Sequence, residues 1–128
     1  MKTIQRVCIV LLTGILLFAG VAFAHHGTAN YDTNKTVTVK GTITDFQFVN
    51  PHVIIVMDVK GDDGKVVSWQ GELTSPNRLS RLGWSKSVIK PGDTLTIAGY
   101  PTKSGSPEIW IQKVTMANGD DLATGGGN

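Results

Sequence analysis

Three histidines are the residues of this 128-residue chain that are best suited to bind a metal. His25 and His26 are adjacent near the start of the chain, and His52 follows the pair Asn50-Pro51. Imidazole nitrogens suit copper, zinc and nickel, and copper(II) binds most tightly in the divalent series. The sequence therefore indicates His25, His26 and His52 as metal ligands, with copper as the metal that they favour.

A cleavable leader adds a further ligand at His25. Lys2 and Arg6 precede an uncharged, mostly apolar run from Val7 to Phe18, and an A-x-A cleavage motif ends at Ala24. This pattern is typical of a secretory signal peptide, and the apolar run is short for a helix that stays in a bilayer. Cleavage after Ala24 exposes the α-amine of His25, which can bind one metal together with the imidazole of the same residue.

An amine with two imidazoles resembles the histidine brace of copper proteins such as lytic polysaccharide monooxygenases and periplasmic copper carriers. The second imidazole comes from His26 or from His52, and Asp32 could add a carboxylate. We rank His25 with His26 as the minimal site, because the arm must fold back to reach His52 at an entropic cost. The alternative is a polar tail that begins with two histidines, with His52 and Asp32 as ordinary turn residues.

Charge and cysteine content exclude several other functions. Loss of Lys2 and Arg6 with the leader reduces the 12 basic residues to match the 10 acidic ones. A near-neutral domain lacks the basic footprint of a nucleic-acid-binding protein and the polybasic patch of a membrane-surface protein. The single cysteine, Cys8, lies in the leader. The mature chain therefore has no disulfide, thiolate nucleophile or cysteine-ligated metal.

The tryptophans favour packing over ligand binding. Trp69 shares the strand parity of Val67 and Leu73, and Trp84 follows a short helix, so both are expected in the core or at a barrel end. Trp110 lies between Ile109 and Ile111, which occupy the opposite face of their strand, so its role stays open. The role of Tyr31 in the polar arm also stays open. These aromatics could stack sugars if they line a surface.

The pattern of hydrophobic residues predicts five strands and one short helix. Alternation with a period of two marks the strands, and Phe46 and Phe48 change parity within the first of them, which requires a bulge near Gly41 to Asp45. Ser75-Pro76 begins the helix and Gly83 ends it. The strands cover residues 36–49, 52–60, 65–73, 94–100 and 108–116.

This order predicts a mainly β protein, a small five-stranded OB-like barrel with one short helix between strands three and four. An open antiparallel sandwich is the alternative. We divide the chain into a signal peptide (1–24), an N-terminal arm (25–35), a β-barrel domain (36–117) and a flexible tail (118–128).

Several motifs together resemble an uncharacterised family of secreted bacterial proteins, domain of unknown function 6152. They are His25-His26-Gly27, V-x-G-T-I-x-D-F from Val39 to Phe46, Asn50-Pro51-His52, Ser75-Pro76-Asn77, Gly83-Trp84-Ser85-Lys86 and Lys90-Pro91-Gly92-Asp93. The resemblance implies an envelope location and a small β-rich domain, but no activity. Two of these motifs contain every histidine of the mature chain.

Two functions remain open from the sequence. The first is a periplasmic or secreted metal-binding protein that favours copper, with His25, His26 and His52 as ligands. The second is a metal-free binding module for a peptide, a glycan or a partner protein of the envelope, with no nucleic-acid partner and no stable membrane insertion after cleavage. An enzyme ranks third, because Asp58 and Glu72 are not placed as a general acid–base couple and no catalytic motif is present.

Overall fold

The computed structural model describes residues 28–126, and these residues form a mainly β barrel. The predicted leader and the predicted ligands His25 and His26 lie outside the described residues. The elements are β1 (Val37–Gln47), β2 (Ile54–Lys60), β3 (Val66–Glu72), α1 (Pro76–Ser80), β4 (Thr94–Pro101), β5 (Glu108–Met116) and β6 (Asp121–Leu122).

The sheet closes on itself with OB-like connectivity. The long strand β1 pairs antiparallel with β4 through its first half and with β2 through its second half. The order continues from β2 to β3 and from β4 to β5, and a parallel pairing of β3 with β5 closes the barrel. The predicted five-stranded barrel with one short helix between β3 and β4 is confirmed, and the two-residue strand β6 is added at the edge of β5.

The bulge in β1 lies where the change of parity predicts it. The register between β1 and β2 shifts between Ile43 and Asp45. Ile43 is buried, and beyond the shift Phe46 and Phe48 pack against the same core. Gly41 lies just before the bulge, and a Cβ atom there would lie 2.5 Å from the backbone oxygen of Asp58. The bulge bends β1 so that one strand serves both halves of the barrel.

Trp69 and Trp84, which the sequence predicts to lie in the core or at a barrel end, differ in their burial. Trp84 is 4% exposed and belongs to the buried cluster, as predicted. Trp69 is only half-buried and lies outside that cluster, although it pairs with the buried Met57. The difference arises because the outer half of the β2–β3 hairpin, with the exposed Val66 and Val67, extends beyond the closed part of the barrel.

The short helix begins as its flanking residues predict. The Ser75 side chain accepts a hydrogen bond from the backbone N–H of Arg78, and Pro76 occupies the first turn. The helix ends at Ser80 and is followed by turn residues up to Gly83, which has a left-handed φ of 94° and donates its backbone N–H to the carbonyl oxygen of Ser80 (3.1 Å). Among residues 28–126, no helix is both long enough and apolar enough to span a bilayer.

The C-terminal segment differs from the flexible tail predicted for residues 118–128. Its described part adds β6 to the edge of β5. The indole Nε1 of Trp84 donates a hydrogen bond to the carbonyl oxygen of Ala123 (2.7 Å), and Arg78 Nη2 donates to that of Gly125 (2.7 Å). The carbonyl groups of this glycine-rich segment therefore accept hydrogen bonds from side chains that are distant in sequence. No local pattern in the tail predicts these hydrogen bonds.

Replacement of Trp84 tests whether its side chain is part of the buried core. Trp84→Ala is expected to lower the free energy of unfolding by about 3–5 kcal/mol, because it leaves a cavity in the buried cluster. Trp69→Ala is the matched control and is expected to cost clearly less. Urea denaturation measures both changes. A change within about 0.5 kcal/mol for Trp84→Ala would place Trp84 outside the core. Equally large losses in the two variants would instead contradict the half-buried position of Trp69.

Candidate functional site

Four side chains from distant parts of the sequence meet on one side of the barrel. His52 lies just before β2, Glu72 ends β3, Trp110 lies near the start of β5, and Tyr31 comes from the N-terminal arm. Their contacts form one connected group centred on Glu72 and Trp110. We call these four residues the seam cluster, because they lie where β3 and β5 close the barrel.

Strand parity turns the seam cluster away from the core. Gly71 and Ile109 are register partners across the seam, and Ile109 is buried. Because side chains alternate along a strand, the next pair, Glu72 and Trp110, lies on the outer face. A Cβ on Gly71 would come within 2.5 Å of Ile111 Cδ1. Because Gly71 has no side chain, Ile111 packs against the backbone at the seam, and Glu72 and Trp110 lie on the other face of the sheet.

Glu72 joins two of these residues through its two carboxylate oxygens. Oε1 lies 2.5 Å from Nδ1 of His52, and Oε2 accepts a hydrogen bond of 2.8 Å from the hydroxyl of Tyr31. An ionised carboxylate only accepts hydrogen bonds, so the first contact puts the proton of a neutral imidazole on Nδ1. The lone pair of His52 is then on Nε2, the nitrogen that can ligate a metal.

Trp110 packs against both partners of Glu72. Its ring centroid lies 5.4 Å from that of His52, with the planes at 85°, and 5.9 Å from that of Tyr31, with the planes at 57°. The first is an edge-to-face arrangement and the second is tilted, and both separations are within the range of favourable aromatic contact. The His52 side chain retains 32% exposure and that of Glu72 21%. The indole thus restricts the orientation of an imidazole that solvent still reaches.

The described part of the N-terminal arm is attached to the barrel. Tyr31 forms a bridge with Thr102, and the backbone N–H of Asp32 donates to the carbonyl oxygen of Pro101 (2.8 Å). Lys103 donates its backbone N–H to the carbonyl oxygen of Asn30 (2.9 Å). The described part of the predicted polar arm, residues 28–35, therefore lies against the end of β4, beside the other residues of the seam cluster.

Tyr31 is the buried residue of this segment, at 6% exposure. Burial raises the pKa of its phenol above the ordinary value of 10.0, and the hydrogen bond from Tyr31 to Glu72 and the charges of Glu72 and Glu108 raise it further. The fold therefore favours the neutral phenol. This contribution to stability is complete below about pH 10 and is lost as the pH rises above that value.

The structure describes one of the three predicted metal ligands, His52. Within residues 28–126, no three side chains of His, Cys, Asp or Glu come together in a group able to hold a metal. Asp32 accepts a hydrogen bond from the backbone N–H of Asn34 and pairs with Lys35, so it acts as a turn residue there. Metal binding at His52 would therefore need His25 and His26, which lie outside the described residues.

The sequence did not place Glu72, Trp110 and Tyr31 in one cluster with His52. For Glu72 a signal was available, because the turn at residues 61–64 fixes the hairpin register and places Glu72 opposite Ile54, two residues from His52. To predict the contact with Trp110 requires knowledge of the parallel pairing of β3 with β5. To predict the contact with Tyr31 requires knowledge that the arm docks on the barrel. Neither contact has a local sequence pattern.

The fold and the seam cluster define a small OB-like barrel with a carboxylate–histidine pair beside its closing strands. The chain belongs to the family of unknown function DUF6152, whose model matches residues 14–109. This match confirms the family resemblance drawn from the motifs.

Two solved structures resemble this chain, and the first of them supports the fold. The mitochondrial single-stranded DNA binding protein Rim1 of S. cerevisiae has a TM-score of 0.50 and 8% identity, covering 65% of this chain and 93% of that one. The ZRD-deleted mutant of TiaS in complex with agmatine has a TM-score of 0.48 and 18% identity, covering 73% of this chain and 23% of that one. Among curated proteins, no sequence matches significantly. At such low identity, the likeness to Rim1 shows the fold alone.

A pH titration of tyrosine absorbance tests the environment of Tyr31. The difference between the wild type and Tyr31→Phe isolates its signal, which is expected to titrate above pH 10, the ordinary pKa. Glu72→Gln is expected to lower the pKa of Tyr31 only part of the way, because burial is the largest cause of the shift. A wild-type Tyr31 that titrates at its ordinary value would contradict the described contacts.

Proposed function

We propose that this protein is exported, loses its leader after Ala24 and binds one copper ion in the periplasm or outside the cell. The proposed ligands are the α-amine and imidazole of His25 with further imidazoles from His26 and His52. The observation that carries the proposal is the hydrogen bond between Nδ1 of His52 and the carboxylate of Glu72, beside the docked arm.

The carboxylate–histidine pair supports a ligand role for His52. Histidines that bind metals commonly donate their other ring N–H to a carboxylate, which fixes the tautomer and makes the ligating nitrogen more basic. Glu72 has this relation to His52, and Trp110 packs against the same ring. A histidine that serves only as a turn residue needs neither contact.

The position of the arm supports the participation of His25 and His26. Tyr31 follows His26 by five residues, which span at most about 17 Å of extended chain. The ring of Tyr31 lies 5.9 Å from Trp110, whose ring lies 5.4 Å from that of His52. His26 ranks above His52 as the second imidazole because the arm loses conformational entropy when it folds back towards His52. This cost is reduced, because docking of residues 28–35 already orders most of the arm.

A metal-free binding module is the second candidate, and the half-exposed Trp110 beside Glu72 favours it. An aromatic ring next to a carboxylate is a common surface for a glycan or a peptide. Single-stranded DNA, the ligand named for Rim1, is a poor candidate here, because the mature domain has no excess of basic residues. Copper titration separates the two candidates.

Copper titration of the mature chain tests the proposal. Protein that begins at His25, verified by N-terminal sequencing, is expected to bind one copper(II) at least about tenfold more tightly than a free His-His-Gly peptide, or ~1.4 kcal/mol. One extra residue before His25 removes the amine from chelation and is expected to weaken binding. His52→Gln removes an imidazole but keeps a polar side chain beside Glu72, and it is also expected to weaken binding. Isothermal titration calorimetry measures each affinity.

Each variant has a distinct contrary outcome. Unchanged affinity after the N-terminal extension would eliminate the amine as a ligand. Unchanged affinity in His52→Gln would restrict the site to His25 and His26. Binding no tighter than that of the free peptide would reject the metal site and leave the binding module as the better account. The uncleaved precursor is not a valid control, because its α-amine belongs to Met1.

A further inference from the structure

One carboxylate holds both the arm and the imidazole at the seam cluster. Oε1 of Glu72 accepts a hydrogen bond from Nδ1 of His52, and Oε2 accepts one from the hydroxyl of Tyr31. We propose that Glu72 is the positioning residue of the copper site, and that it couples docking of the N-terminal arm to orientation of His52. This inference rests on the proposed function and adds the residue that organises its ligands.

The barrel fixes the backbone of Glu72 on both sides. In the registers of β3, Glu72 is opposite Ile54 of β2 and beside Trp110 of β5. The carboxylate therefore projects from a strand that cannot shift without opening the closed barrel. A rigid support of this kind is what a metal site needs for its ligands to keep their geometry.

The contact with His52 sets which nitrogen is available. With the proton of the neutral ring held on Nδ1 by Glu72, Nε2 carries the lone pair. A neutral imidazole without this partner exchanges between its two tautomers. Loss of the carboxylate therefore leaves the ring in place against Trp110 but removes its preference for one ligating nitrogen.

The contact with Tyr31 attaches the arm. Tyr31 is the one buried residue between positions 28 and 35. A buried phenol needs a hydrogen-bond acceptor, and Glu72 supplies it at 2.8 Å. The backbone bridge of Tyr31 to Thr102 and the hydrogen bond from Asp32 to Pro101 lie next to this anchor. Loss of the acceptor therefore loosens the segment that leads to His25 and His26.

Glu108 offers a matched control. Its charge also acts on Tyr31, but the hydrogen bonds from Tyr31 and His52 go to Glu72. Glu108→Leu and Glu72→Leu thus remove the same charge from the same neighbourhood, and only the second removes the shared acceptor. Tyr31→Phe removes the anchor of the arm and leaves Oε1 of Glu72 available to His52.

The experiment begins with metal-free mature protein. Nitrogen NMR of the imidazoles reports the tautomer of His52, and hydrogen exchange of the Asp32 amide reports docking of the arm. Glu72→Leu is expected to reduce the Nδ1–H tautomer and to speed this exchange, whereas Glu108→Leu changes neither. Tyr31→Phe is expected to speed the exchange alone. If Glu72→Leu does not fold, Glu72→Gln gives the same comparison with smaller changes.

Copper titration then links these readouts to the site. Glu72→Leu is expected to weaken copper(II) binding about 10–100-fold, the usual effect of losing an outer partner of a ligating histidine. Glu108→Leu is expected to retain wild-type affinity. An unchanged His52 tautomer in Glu72→Leu, or equal effects of Glu108→Leu, would overturn the coupling. Failure of the wild type to bind copper would reject the proposed function instead, a result that the metal-free measurements keep separate.

Discussion

The parallel pairing of β3 with β5 is the constraint on which both the fold and the candidate site depend. It joins residues 70–72 of β3 to residues 108–110 of β5 and converts an open sheet into a barrel. The same register places Gly71 and Ile109 towards the core and brings Glu72 beside Trp110 on the outer face. Closure therefore builds the surface on which His52 and Tyr31 meet. A sheet left open at this seam would keep its β2–β3 hairpin but would separate Glu72 from Trp110.

The elements of the barrel could be predicted from the sequence because each has a local cause. Alternating apolar residues define the strands, and the change of parity at Phe46 requires the bulge that the structure has between Ile43 and Asp45. Ser75-Pro76 determines where the helix begins, and Gly83 ends the turn residues that follow it. A barrel of OB-like order follows from these elements, since the helix falls between the third and fourth strands.

The seam cluster could be predicted only in part, because most of its contacts are non-local. His52 was identified by its chemistry, and the hairpin register was sufficient to place Glu72 near it. Tyr31 lies in a polar segment without periodicity, and its side chain contacts Trp110 and Glu72, which are far away in the sequence. The described C-terminal segment is similar, because its partners Trp84 and Arg78 lie far away in the sequence. Trp69 shows the opposite error, since a core parity does not ensure burial where a hairpin extends beyond the barrel.

Counting the imidazoles that coordinate the copper ion is the most direct test, because the proposed site joins His52 of the barrel to His25 and His26 of the arm. Pulsed electron paramagnetic resonance of copper(II) bound to the mature protein detects the remote nitrogen of each coordinated imidazole. An imidazole signal from His52 is expected together with those of the N-terminal histidines, and His52→Gln is expected to lose one imidazole. A wild-type spectrum identical to that of copper(II) bound to a free His-His-Gly peptide would contradict it.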